Sequence, residues 1–141
     1  MHPDGGMAQL LVNLDVDDIE RAVTFYTEGL LLQVGRRFDA GFVELLGANA
    51  PIYLLAKAAG QKPFDGAARG RDYSRHWTPV HLDFVVTNID AAVARAQSAG
   101  ARLESHPSDQ AYGRLALLSD PFGHGFCLIE FKGRGYAELL P

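Results

Sequence analysis

The stretch Asp120-Pro121-Phe122-Gly123-His124-Gly125-Phe126-Cys127-Leu128-Ile129-Glu130-Phe131 decides how the rest of the chain is read. Proline at its second position presets φ for a turn, and Gly123 supplies a conformation that other residues avoid. A strand follows, with Phe126 and Leu128 facing one way, His124 with them if the strand begins that early, and Gly125, Cys127 and Ile129 facing the other. Taken alone, this is a turn feeding a two-sided strand, and it carries no chemistry.

Reading back from that strand, Tyr112–Leu118 and Leu103–His106 are two further strands, and Gly100 ends a helix carrying Ile89, Ala92, Val93 and Ala96. Asn88 is the natural cap of that helix. Before it, Val80, Leu82, Phe84 and Val86 form an apolar face opposite His81, Asp83 and Val85. The order is βαβββ.

The N-terminal half repeats it. Leu10, Val12, Leu14 and Val16 alternate with Gln9, Leu11, Asn13 and Asp15. Asp17 or Asp18 caps a helix with Ile19, Ala22, Val23, Tyr26 and Leu30 at helical spacing, which fades at Gly29. Gln33–Phe38, Phe42–Leu46 and Ile52–Ala56 complete three strands. Placing Leu11 on His81 superposes Val16 on Val86, Asp18 on Asn88, Ile19 on Ile89, Glu20 on Asp90, Ala22 on Ala92 and Val23 on Val93 without a gap. Self-similarity at a fixed offset, in step with the apolar pattern, reads as a duplication.

The expected organisation is therefore a leader over residues 1–8, a first module over 9–56 and a connecting segment over 57–78. A second module over 79–132 and a tail over 133–141 follow, the whole forming one α+β domain. The connector has no clear period and contains Gly60, Pro63, Gly66 and Gly70. With 141 residues, 48% hydrophobic and 21% charged, the chain can bury one sizeable core. A net charge of −4 offers no general attraction to nucleic acid or to anionic membrane surfaces, and no apolar run is long enough to cross a bilayer. The lone Cys127 excludes an intrachain disulfide and fits a reducing cytoplasm.

Two βαβββ modules, the opening Val16-Asp17-Asp18-Ile19-Glu20-Arg21-Ala22-Val23-Thr24-Phe25-Tyr26 and the closing Asp120–Glu130 stretch resemble the vicinal oxygen chelate superfamily. This is the group of glyoxalases, bleomycin resistance proteins and extradiol dioxygenases, and the resemblance runs from about Gln9 to Phe131. It implies mixed sheets curled around a cup, with modules paired within the chain or across a homodimer, of which the homodimer is preferred. Metal-dependent members hold a divalent ion on the first and last strands of each module, and the matching positions here are Leu11, Tyr53, His81 and Cys127. Only His81 is a usual ligand there, which argues against the standard metal site and leaves no cofactor expected. Glu130 falls on the opposite strand face from Cys127 unless a bulge intervenes.

His81 with Asp83 two residues on can act as an imidazole held by a carboxylate, the candidate catalytic pair, or can be a partly buried histidine satisfied by its neighbours. Cys127 beside it can be a nucleophile or a small core residue. Asn13 and Asp15 can offer hydrogen bonds to a ligand, or face solvent or a dimer partner. Arg69, Arg71, Arg75, Tyr73, His76 and Trp77 can form a lid over a carboxylate or flat ring, the alternative being a solvated basic loop with Trp77 pinned to the core. Phe38, Phe42 and Tyr112 are aromatic wall candidates, while His2, His76, His106 and His124 read as surface or loop. The expected ligand site comprises Leu11, Asn13, Tyr53, His81, Asp83, Cys127 and Trp77, holding a small aromatic or carboxylated molecule as in drug-sequestering relatives. The competing expectations are a metal-dependent lyase or dioxygenase with ligands drawn from His81, Glu130, Tyr53 and Cys127, and metal-free acid-base catalysis by His81.

Overall fold

Alternation of apolar and polar residues makes Val12–Val16 a strand, β1, with Val16 fully buried. The structure, a computed structural model, describes residues 8–141, so the expected leader lies outside the described residues except for Ala8. Asp18 caps α1, Ile19–Thr24, its carboxylate accepting from the Arg21 N–H at 3.1 Å. The helix does not continue unbroken to Leu30 as its spacing suggests: it widens into a π-helical turn over Phe25–Gly29. That turn buries Phe25 and Tyr26 together, and the chain leaves it through Leu31 at φ 60°.

β2 (Gln33–Asp39), β3 (Phe42–Leu46) and β4 (Ile52–Ala56) complete the first sheet in the order β1-β4-β3-β2. The second half repeats the plan with β5 (Leu82–Val85), α2 (Ile89–Ser98), β6 (Arg102–Gln110), β7 (Gly113–Ser119) and β8 (Gly125–Phe131), ordered β5-β8-β7-β6. In each sheet the first strand runs parallel to the last and the other neighbours are antiparallel. The fold is α+β, two βαβββ modules with mixed sheets. The repeat holds in register, because Asn13 pairs with Tyr53 as Asp83 pairs with Cys127.

Some boundaries differ from the sequence expectation. β1 starts at Val12 and β5 at Leu82, two or three residues late, while β6 runs past His106 to Gln110. Pro107 signals a strand end, yet β6 is the outer strand of its sheet, where a missing N–H leaves no ladder partner unsatisfied. Two register shifts against β7 absorb the irregularity.

The helices cover one side of the sheets and join the two modules into one core. The Phe25 ring meets Phe126 at 6.2 Å, and Phe126 meets Phe84 at 6.0 Å, both edge-on. Gly29 matters here for space: a Cβ on it would sit 3.0 Å from the Ala99 Cβ and 3.6 Å from the Ala96 Cα, so its absence lets the π turn reach the end of α2.

The turn at Asp120 fastens this core. Asp120 is 5% exposed, and its Oδ2 accepts the Tyr26 hydroxyl at 2.5 Å while Oδ1 accepts the N–H groups of Phe122 and His124 at 2.8 and 2.9 Å. Burial, then the adjacent carboxylate, push the Tyr26 phenol well above its usual range, so it remains a donor. His124, read from sequence as a surface residue, places Nε2 2.7 Å from the Asp15 carbonyl and ties the second module to β1. Gly123 takes φ +85°, with Tyr73 and Ser74 of the connector packed where a side chain would lie. Replacing Asp120 by Ala leaves a buried hydroxyl and a buried N–H without their acceptor, each costing about 1–3 kcal/mol. Urea unfolding should show Asp120→Ala destabilised by roughly 3 kcal/mol or more and Tyr26→Phe by about 1–2 kcal/mol; near-wild-type midpoints for both would remove the clamp from the account.

Candidate ligand-binding site

The second sheet turns one face away from the helices, and across it Asp83, Cys127, Leu117 and Ser105 stand in one row. His81, immediately before β5, joins them: its Nδ1 is 2.9 Å from Asp83 Oδ1 and 4.0 Å from Cys127 Sγ. Trp77 stands over His81 with ring centroids 5.2 Å apart, and at the far end of β8 the Tyr112 and Tyr136 rings pair at 4.9 Å. Ser105, Ser108 and Gln110 on the β6 side and Leu115 and Leu117 below complete a cavity of about 420 Å³. A concave, largely apolar site with a few converging polar groups suits a small organic ligand.

Of the residues expected to share one site, His81, Asp83, Cys127 and Trp77 come together here; Leu11, Asn13 and Tyr53 do not. Leu11 precedes β1 and is largely exposed, and Asn13 lines a separate cleft between the modules that touches His81. Tyr53 belongs to the first module, where its hydroxyl donates to Glu44 at 3.1 Å and its ring clusters with Phe42 and Phe38. Trp77 is 59% exposed and not pinned to the core, which leaves its indole face open to the cavity. Tyr136 went unread because residues 133–141 look like a plain tail. A 3-10 turn over Gly135–Leu139 brings its ring against Phe131 and Tyr112, and the paired glycines Gly133 and Gly135, both at positive φ, are the signal that could have located it.

Of the connector arginines, Arg71 and Arg75 are held by strand carboxylates, while Arg69 is exposed. Arg71 Nε donates to Asp15 at 2.7 Å and its Nη1 to the Lys62 carbonyl at 2.9 Å, while Arg75 grips Glu104 at 2.6 and 2.9 Å. Both lash the connector to strands of the two modules. Asp15, a candidate ligand contact, is thereby occupied.

The superfamily's metal positions do not form its usual site in this chain. Leu11 has no donor atom, and the Tyr53 hydroxyl is committed to Glu44. Glu130 lies on the helix side, its Oε1 accepting the Ile89 N–H at 2.9 Å at the start of α2. What remains is a sulfur, nitrogen and oxygen group, His81, Asp83 and Cys127, with donor atoms within 4.8 Å of one another; it is softer than an oxygen-rich octahedral set. Burial, and then the neighbouring Asp83, push the Cys127 thiol up to about 12, so it stands as a protonated, unreactive group near neutral pH.

The first module's equivalent row is closed by its own charges. Arg36 reaches Glu44 through Nε at 3.0 Å and Nη2 at 2.7 Å, its backbone N–H adds a third contact at 3.1 Å, and its guanidinium lies 4.9 Å from the Phe38 ring. The Arg36 side-chain hydrogen bonds, aided by its N–H and the Tyr53 hydroxyl, bring Glu44 down to about 2. A depressed folded-state value means that this carboxylate stabilises the fold above its unfolded pKa of about 4.3. The contribution is lost as pH falls through about 2. Urea midpoints for wild type and Glu44→Gln should therefore differ at neutral pH, and the difference should shrink steadily over that acid window; a gap independent of pH would contradict the assignment.

Comparison with known proteins places the fold. A family model described as a glyoxalase-like domain matches residues 11–129. The Mycobacterium tuberculosis protein Rv0887c is 30% identical over 131 residues, covering 82% of this chain and 70% of its own. The anthracycline biosynthesis protein DnrV of Streptomyces peucetius is 41% identical over 129 residues, covering 89% of this chain, which spans only 42% of DnrV. Among solved structures, the antibiotic-binding protein TnmS3 of a Streptomyces species superposes with a TM-score of 0.64 at 23% identity, over 93% of this chain and 100% of that one, a likeness of fold. The chain is therefore a member of the glyoxalase-like domain family, within the vicinal oxygen chelate superfamily.

Proposed function

We propose that the protein binds a small organic molecule in the cup of its second module, independently of the superfamily's usual metal site. The observation that carries this reading is the cavity in which Trp77, Tyr112 and Tyr136 surround the His81–Asp83 pair. Rigid aromatic walls supply contact area to a flat ligand, and the pair supplies orientation. That TnmS3 is an antibiotic-binding protein and DnrV an anthracycline biosynthesis protein supports a small organic ligand. The raised Cys127 thiol fits a lining residue better than a nucleophile.

Two other readings each have one observation in their favour. The His81, Asp83 and Cys127 donors lie close enough together to favour a metal-dependent lyase or dioxygenase with an atypical ligand set. The 2.9 Å contact between His81 and Asp83 would equally hold an imidazole as a metal-free acid-base group. A homodimer is part of the leading proposal, because Phe38, Leu46 and Trp77 leave apolar area exposed around the two sheets.

Protein purified without chelator separates these readings. Elemental analysis should find nickel, zinc, iron and manganese sub-stoichiometric. Trp77, the single tryptophan, should show saturable quenching by acridine, unchanged after EDTA, and sedimentation of the same sample at micromolar concentration should give a dimer. A stoichiometric metal, or quenching that appears only when metal is added, favours the metal-dependent reading; turnover of a substrate by metal-free protein, lost in His81→Ala while binding survives, favours acid-base catalysis. Monomer alone removes the dimer.

A further inference from the structure

Charge compensation differs among the strand carboxylates. Asp15 is held by Arg71, Glu44 by Arg36 and Glu104 by Arg75, each at 2.6–2.7 Å. Asp83 has no arginine or lysine: its sole ion-pair partner among the described residues is His81, which occupies one carboxylate oxygen. It is also the one acidic group lining the second cup, and no lysine or arginine lines that cavity. Its side chain is 33% exposed, so the charge is partly withdrawn from water. Around it stand three electron-rich rings, Trp77, Tyr112 and Tyr136, whose faces carry negative potential.

From this arrangement we infer that the cup selects a planar aromatic ligand bearing a positive charge, such as a protonated amine, over its neutral and carboxylated counterparts. The inference rests on the proposed ligand-binding role of the same cavity and assigns the ligand's charge class. A cation gains from the Asp83 carboxylate, whose one ion-pair contact among the described residues is with His81, and from the ring faces together. A carboxylate meets the same fields with the opposite sign; Arg71 and Arg75 are engaged elsewhere, and Arg69 does not line the cavity.

Three tricyclic probes of similar shape test this: proflavine as the cation, acridine as the neutral form and an acridine carboxylate as the anion. All three are titrated at the same mildly alkaline pH, at which proflavine is protonated and acridine is not. Trp77 quenching, corrected for probe absorbance, gives the affinity. Proflavine should bind about tenfold or more tighter than acridine, with the carboxylate weakest, and Asp83→Asn should remove most of the cation's advantage while leaving acridine affinity little changed. Asp65→Asn, which removes one negative charge from the exposed connector, should leave the order intact. Equal affinities, preference for the anion, or a cation preference untouched by Asp83→Asn would overturn the charge selection while leaving the cavity a binding site. Failure of all three probes to bind would overturn the binding role and the charge selection together.

Discussion

Asp120 is the residue on which the architecture depends most. A single carboxylate accepts a hydroxyl from the first module's π turn and two N–H groups from its own turn, while the histidine four residues on reaches back to β1. A short turn thereby fixes the position of β8 against the first module's helical segment, and β8 carries Cys127 into the second cup. The Phe25 ring, next to Tyr26 in the chain, also meets Phe126 of β8 at 6.2 Å. Because the groups involved are buried, each lost partner leaves an unsatisfied polar atom, so the turn tolerates little variation in place.

Duplication produced two modules with matching registers, and side-chain chemistry then separated them. In the first, Glu44 is held by Arg36 and the Tyr53 hydroxyl, and the Phe38 ring lies against the Arg36 guanidinium. In the second, the row Asp83, Cys127 and Leu117 has no cation to neutralise it, and the surrounding rings leave a cavity instead of a packed cluster. The position that holds a leucine in one half, Leu11, holds His81 in the other. The two halves of the repeat therefore share a backbone plan but differ in the side chains they place on the face away from the helices.

Much of this was legible in the chain. The alternation in β1 and β8, the caps Asp18 and Asn88 and the constant offset between halves specify the element order, since each depends only on local spacing. The His81, Asp83 and Cys127 group was legible because residues two apart share a strand face and the superfamily pairs β5 with β8. Longer-range features were hidden. The π turn has no side-chain signature, and its role emerges only where Gly29 meets α2. His124 looked like an isolated loop residue because its partner, the Asp15 carbonyl, is more than a hundred positions away. Arg71 and Arg75 looked like free cations for the same reason, and Tyr136 enters the cup through a tail whose sequence contains no strand or helix period.

The central claim is that the second cup is a metal-independent binding site organised by Asp83 and its aromatic walls. A crystal structure of the metal-free protein grown with proflavine tests it most directly. The account predicts ring density in the second cup, packed against Trp77 or Tyr136, with an amine directed at Asp83. Density confined to the first module or the cleft between β1 and β5, or a metal recruited between His81 and Cys127 as a condition of binding, would contradict it.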